Sequence, residues 1–232
     1  MVTSVFTPSG IAIATLSKDI FFQRVANGDD VSIEKLQIQG RNHVIVFWDK
    51  YVLVFNQLDE FSVDANLEAK LKSVMERWEN SVPPIDELMS YVKKAIMDNE
   101  LKIIGIMAGY CKTPDGNDVP FVYQILGDEI RRININHDGD LAYNCVYLEK
   151  DTVIGRLFRE VKVQNGSQWE DIAPTKIRCD LFSLAKAKEL CEFILRTYDY
   201  IENINSSMAD IPTIDMALIT PEKNMFETNQ YA

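Results

Sequence analysis

The hydrophobic pattern changes period several times along the chain. Val2 to Phe6 and Ile11 to Leu16 are apolar, β-branched runs on either side of Thr7-Pro8-Ser9-Gly10. Those four residues are turn formers, so the chain is predicted to open with a hairpin. Aromatic and charged residues follow from Lys18 to Arg24, then a polar turn at Asn27-Gly28-Asp29-Asp30 and a candidate strand from Ser32 to Ile38. Gly40-Arg41-Asn42 turns the chain again. His43 to Phe47 and Tyr51 to Phe55, separated by Trp48-Asp49-Lys50, predict a tight hairpin, although the second run could instead open a helix.

The period then becomes helical. Leu67, Leu71, Val74, Met75 and Trp78 share one face of a predicted helix. Pro83-Pro84 ends it and starts another, with Ile85, Leu88, Met89, Val92 and Ile96 as its apolar stripe. Strand patterns resume at Leu101 to Tyr110, Val119 to Leu126 and Glu129 to Ile135, with a two-residue turn at Gly127-Asp128. Leu141 to Leu148 suggests a short strand leading into a helix over Lys150 to Glu160. Val161 to Cys179 is irregular and is expected to be an insertion or an extra hairpin. Leu184, Ala187, Cys191, Ile194, Tyr198 and Ile201 mark the longest helix, with Ser183 as its N-cap. Thr213 to Thr220 predicts a closing strand, and Pro221 to Ala232 a loosely held polar tail.

Strands, two helices, strands, two helices and a strand imply antiparallel sheets with helices layered outside. A four-layer α/β/β/α sandwich satisfies this order, as does a single sheet with helices on one face. There is no repeat and no linker long enough to divide the 232 residues, so one domain is expected.

Composition narrows the function classes. Hydrophobic residues make up 47% and charged residues 25%, which is ordinary for a globular chain. The formal net charge is −11 and the basic residues are scattered, which argues against a nucleic-acid partner and against an anionic membrane surface. The first fifteen residues lack a basic segment and are broken by Pro8 and Gly10, and no apolar run is long enough to span a bilayer. Cys111, Cys145, Cys179 and Cys191 show no metal-ligand spacing and fit reduced thiols in a cytoplasmic protein. His43 and His137 are too few and too distant for a metal centre, and Asp115-Gly116-Asn117-Asp118 lacks the spacing of a calcium loop. No Gly-rich phosphate loop occurs. No metal and no cofactor are expected.

Several phrases occur in an order that resembles the proteasome β-type and HslV-like N-terminal-nucleophile (Ntn) hydrolases. Gly10-Ile-Ala-Ile-Ala-Thr15 is similar to that family's second strand, and Glu34-Lys35-Leu-Gln-Ile38 to its lysine-bearing strand. Ile104-Gly-Ile-Met-Ala-Gly-Tyr110, Phe121-Val-Tyr-Gln-Ile125 and Gly127-Asp-Glu-Ile130 resemble its central meander. Ile214-Asp-Met-Ala-Leu-Ile-Thr220 resembles its closing strand. The resemblance covers roughly residues 3 to 220 and implies an α+β fold, the α/β/β/α sandwich of the Ntn type.

Ntn chemistry uses the hydroxyl or thiol of the first mature residue, with its own α-amine as base and a lysine to activate it. The resemblance implies Thr3 as nucleophile after loss of Met1-Val2, and Lys35 as activator. An ungapped reading from Gly10 places Met1 at the nucleophile position, whereas a shortened turn at Thr7 to Gly10 places Thr3 there. Three departures oppose catalysis. Leu16 stands where the family has an orienting aspartate, and no glycine lies between Gly40 and Gly105 to form an oxyanion hole. Trp48-Asp49-Lys50 or Phe55-Asn56-Gln57 fills that region, and Tyr143-Asn144-Cys145 replaces a Gly-Ser-Gly phrase. The expectation is therefore a catalytically degenerate subunit that acts in assembly or partner binding, as a homo-oligomer or with a related subunit. The alternative is an active threonine-type Ntn peptidase or amidohydrolase acting on a peptide or protein.

Overall fold

The computed structural model describes residues 1–16, 18–27, 30–39, 44–57, 73, 78, 82–98, 103–148, 161–165, 168–172, 177–203 and 213–230. The predicted helix over Leu67 to Trp78 lies mostly outside the described residues, as do the helix over Lys150 to Glu160, the turn at Gly40-Arg41-Asn42, and His43.

The opening hairpin forms as expected. Strand β1 (Val2–Thr7) pairs antiparallel with β2 (Gly10–Leu16), from Val2 opposite Thr15 to Thr7 opposite Gly10. The turn is closed by the Thr7 hydroxyl, which donates to the Gly10 carbonyl at 3.0 Å and accepts the Ser9 N–H at 3.2 Å. β3 (Lys18–Asn27) and β4 (Asp30–Gln39) form a long two-stranded ribbon. β5 (Val44–Phe47) and β6 (Tyr51–Gln57) form the second tight hairpin. Its turn places Trp48 and Asp49 at φ of 52° and 53°, consecutive left-handed residues that the Lys50 N–H to Phe47 carbonyl bond of 2.9 Å holds closed.

β6, β7 (Ile103–Lys112), β8 (Asp118–Leu126) and β9 (Glu129–Arg132) then continue as a meander, giving one sheet in the order β5-β6-β7-β8-β9. The other five-stranded sheet is assembled from distant segments in the order β10-β1-β2-β13-β14, with β10 (Asn144–Leu148), β13 (Thr213–Ile219) and β14 (Asn224–Gln230). Every neighbouring pair in both sheets is antiparallel. β11 (Val161–Asn165) and β12 (Gln168–Ile172) pair with each other, so the hairpin reading of that segment is the one realised.

The C-terminal segment corrects an expectation. Far from hanging loose, it contributes β14, paired with β13 along all seven residues. Its polarity suits an edge strand, which needs ladder hydrogen bonds on one side only and tolerates solvated side chains.

Two described α-helices cover the sheets. In α1 (Ile85–Met97) the buried residues are Ile85, Leu88, Met89, Val92 and Ile96, the stripe visible in the sequence. They pack on Phe47, Tyr51, Leu53, Phe55, Ile103, Met107, Tyr123 and Ile125 of the β5–β9 sheet. α2 (Leu184–Asn203) is capped by Ser183, whose hydroxyl accepts the Lys186 N–H at 3.3 Å. Its Ala187, Cys191, Ile194 and Leu195 pack on Val5, Ala12, Ala14, Leu16, Ile214, Met216 and Leu218 of the other sheet. A third cluster joins the two sheets. It brings Val2, Phe6, Ile11, Ile13, Ala217 and Ile219 against Val52, Val54, Ile106, Ala108 and Val122. Among the described residues no helix is long and apolar enough to cross a membrane.

Candidate functional site

Strand alternation decides what each residue near the chain start faces. Val2 and Phe6 join the cluster between the sheets, whereas Met1 and Val5 join the cluster beneath α2. Thr3 therefore turns toward α2, and Ser4 toward the space between the sheets. Thr3 is fully buried, and its hydroxyl donates to the Val146 carbonyl of β10 at 3.0 Å. Its neighbours in register are Tyr147 on one side and Ala14 on the other. Met1 and Val2 ahead of it are buried too, and Val2 pairs with both Leu148 and Thr15.

Lys35 lies in β4, in register with Phe22 of β3. Its side chain, and the aromatic pair Phe21-Phe22, lie outside the described residues. Thr3 and Lys35 thus belong to different sheets, β1 to a five-stranded one and β4 to the two-stranded ribbon.

Leu16 points into the apolar cluster beneath α2, beside Ile214 in register, where a carboxylate would be desolvated among aliphatic groups. The Trp48-Asp49-Lys50 turn sits away from the start of β1. Asn224, which opens β14, donates its side-chain amide to the Asp49 carbonyl at 2.9 Å, and Asn224 pairs with Ile219 at the Gly10 end of the sheet. Phe55-Asn56-Gln57 lies at the far end of β6 from that turn. Tyr143-Asn144-Cys145 enters β10, where Asn144 caps its own strand by accepting the Cys145 N–H at 2.8 Å.

Three polar residues that the motifs did not single out face the inter-sheet layer near the chain start. Thr15 is buried and donates its hydroxyl to the Met1 carbonyl at 3.1 Å. Asp215 is buried directly across from Thr15 on β13. Ser4 is fully buried, with Val2 and Phe6 along its strand and Ile13 and Val146 opposite, and its hydroxyl has no hydrogen-bond partner. Asp215 stood out as the one charged residue of an apolar strand, whereas β1 carries Thr3, Ser4 and Thr7 in no alternation, so no sequence signal singled out Ser4.

The thiols are insulated. Cys145, Cys179 and Cys191 all belong to the cluster beneath α2. Burial pushes Cys145 up to about 12, with the Cys179 thiol adding to it, and Cys179 up to about 11, with Asp180 adding to it, and it raises Cys191 well above the usual thiol range. Cys111 lies on the other sheet, its sulfur 3.1 Å from the Tyr51 hydroxyl. His137 projects fully exposed from a loop beside Asp138. Among the described residues no three His, Cys, Asp or Glu side chains gather as a metal centre.

No family model matches the chain, and no curated protein matches it. Among solved structures the chain is similar to Anbu (ancestral beta-subunit) from Yersinia bercovieri, with a TM-score of 0.53 and 13% identity. The match covers 99% of this chain and 88% of that one, a likeness of fold across almost the whole length.

Proposed function

We propose that the chain is a proteasome-subunit-like protein with the four-layer α/β/β/α sandwich of the Ntn type, that it has given up catalysis, and that it acts in the cytoplasm in assembly or partner binding. The three apolar clusters support the layered reading, since they separate α2, the two sheets and α1 in turn. The fold likeness to an ancestral beta-subunit supports the kinship. One observation carries the loss of catalysis. The Thr3 hydroxyl is fully buried, turned under α2 and committed to the Val146 carbonyl. A nucleophile must reach a substrate carbonyl, and this one is bonded within its own sheet and covered by the α2 side of the fold. Leu16 beneath α2 leaves no carboxylate at that position to orient a lysine.

The active-hydrolase reading keeps Thr3 as nucleophile and Lys35 as activator, and one experiment separates the two. The tag-free protein is purified, its intact mass and N-terminal residue are determined, and it is incubated with a β-lactone that acylates N-terminal hydroxyls. The expected result is a chain that retains the residues ahead of Thr3 and takes no adduct. A mature chain beginning at Thr3, with an adduct abolished in Thr3→Ala, would overturn the proposal.

A further inference from the structure

Where α1 begins, on the sheet that carries neither Thr3 nor Leu16, the meander gathers a thiol, two phenols and a guanidinium. Tyr51 opens β6, Cys111 lies near the end of β7, Tyr123 is in β8 and Arg132 closes β9. Tyr51 and Tyr123 belong to the apolar cluster beneath α1, Cys111 packs against that cluster, and Arg132 is in register with Tyr123. The Tyr51 hydroxyl lies 3.1 Å from the Cys111 sulfur and 3.4 Å from the Pro83 carbonyl. Tyr123 donates its hydroxyl to Asp86, in the first turn of α1, at 2.5 Å.

Arg132 is the unexplained member. Its guanidinium lies 3.8 Å over the Phe121 ring, its Nε donates to the Asn134 side-chain oxygen at 3.0 Å and its Nη2 to the Pro120 carbonyl at 3.1 Å. All three contacts are neutral. In a chain of net charge −11, none of the ion pairs among the described residues uses this cation. The carboxylate that acts on it, Asp86, is engaged by Tyr123, and Cys111 is also close enough for its charge to act on the guanidinium. A partly exposed sulfur beside a held cation and a hydroxyl donor is the setting in which a thiolate is stabilised and reactive. Cys111 is half-buried, so small solutes can reach it. Burial, reinforced by the bond to Cys111, holds the Tyr51 phenol above its usual range, so it keeps its proton. That proton has two acceptors. Beside a neutral thiol it serves the Pro83 carbonyl, a long bond, and beside a thiolate it can turn to the sulfur at little loss.

We infer that Cys111, with Tyr51 as hydrogen-bond donor and Arg132 as cation, is a site of reversible oxidation by hydroperoxides. The inference is independent of the assembly reading above. The Cys111 thiol gives its proton to solvent, and the thiolate attacks the terminal oxygen of the hydroperoxide. The S–O bond forms as the O–O bond breaks. The electron pair leaves on the departing alkoxide or hydroxide, which takes a proton from water. Sulfur is oxidised by two electrons to the sulfenic acid and the peroxide is reduced to an alcohol or water. A small thiol then condenses with the sulfenic acid and releases water, and a second one restores Cys111. Hydrogen peroxide added to the intact, reduced chain tests the site, with dimedone to trap the sulfenic acid and peptide mass spectrometry to locate it. Cys111 is expected to be labelled ahead of Cys145, Cys179 and Cys191, and at least about tenfold faster than in the same chain unfolded in urea. Tyr51→Phe, which keeps the packed ring, and Arg132→Gln are each expected to slow that labelling several-fold, with circular dichroism melts confirming the fold. The comparison of folded and unfolded wild type stands without any variant. Labelling of Cys111 no faster than in urea, labelling of Cys145 ahead of it, or a rate that ignores both variants would overturn the inference.

Discussion

Replacing Ser4 by alanine removes a hydroxyl that the fold buries without a partner. The Ser4 oxygen lies between the sheets, surrounded by Val2, Phe6, Ile13 and Val146, and is cut off from solvent. An unsatisfied buried hydroxyl costs about 1–3 kcal/mol. Deleting one oxygen leaves a void of roughly 10 Å³, which costs only about 0.3 kcal/mol. Ser4→Ala is therefore expected to stabilise the chain by about 1 kcal/mol, a rise in Tm of about 2–4 °C for a domain of this size. Thr3 is the matched control. It is the adjacent residue in the same strand, equally buried, but its hydroxyl is bonded to Val146 at 3.0 Å. Thr3→Val keeps the shape and forfeits that bond, so it is expected to destabilise by about 1 kcal/mol. Urea unfolding of both variants, analysed with a common slope, reads the two signs. The same sign for both, or a loss of more than about 1 kcal/mol in Ser4→Ala, would refute the assignment of faces. It would mean that Ser4 has a partner or that the strand is turned over.

Two further outcomes follow from packing and burial. Gly109 faces Tyr51 across the β6–β7 ladder, and a Cβ there would collide with the Tyr51 ring and stand 2.7 Å from the Lys50 carbonyl. Gly109→Ala should destabilise by about 2 kcal/mol in chemical denaturation, by overpacking beside a tight turn. The buried Cys179 and Cys191 thiols should be silent to a disulfide reagent at pH 8 while the chain is folded, with the partly exposed Cys111 and Cys145 reacting ahead of them and all four reacting after unfolding. Cys145 and Cys179 titrate near 12 and 11 when folded, above the ordinary value of 9. Their contribution to stability is therefore full below about pH 9 and is lost as the pH climbs through the folded values, which melting curves between pH 8 and 11 would show.

Local pattern determined much of this protein. The β1–β2 and β5–β6 hairpins, the α1 stripe from Ile85 to Ile96, the Ser183 cap and the β7–β8–β9 meander all rest on neighbours in sequence, where period and turn chemistry suffice. The closing strand at Thr213–Ile219 was equally legible. The β14 edge strand was not, because its polar residues carry no apolar alternation and its ladder depends on β13 being there to receive it. The candidate site was legible only as residue types. Thr3 could be named from the sequence, but whether its hydroxyl faces the inter-sheet layer or α2 depends on which side of β1 each neighbouring layer packs. A shift of one residue exchanges Thr3 with Ser4. The same holds for Leu16 beneath α2 and for Asp215 facing Thr15, residues about two hundred positions apart that meet only because β13 lies against β2. Chemistry-bearing residue types are written along the chain, but their facing is set by the packing of both sheet surfaces, a long-range property that only the tertiary structure decides.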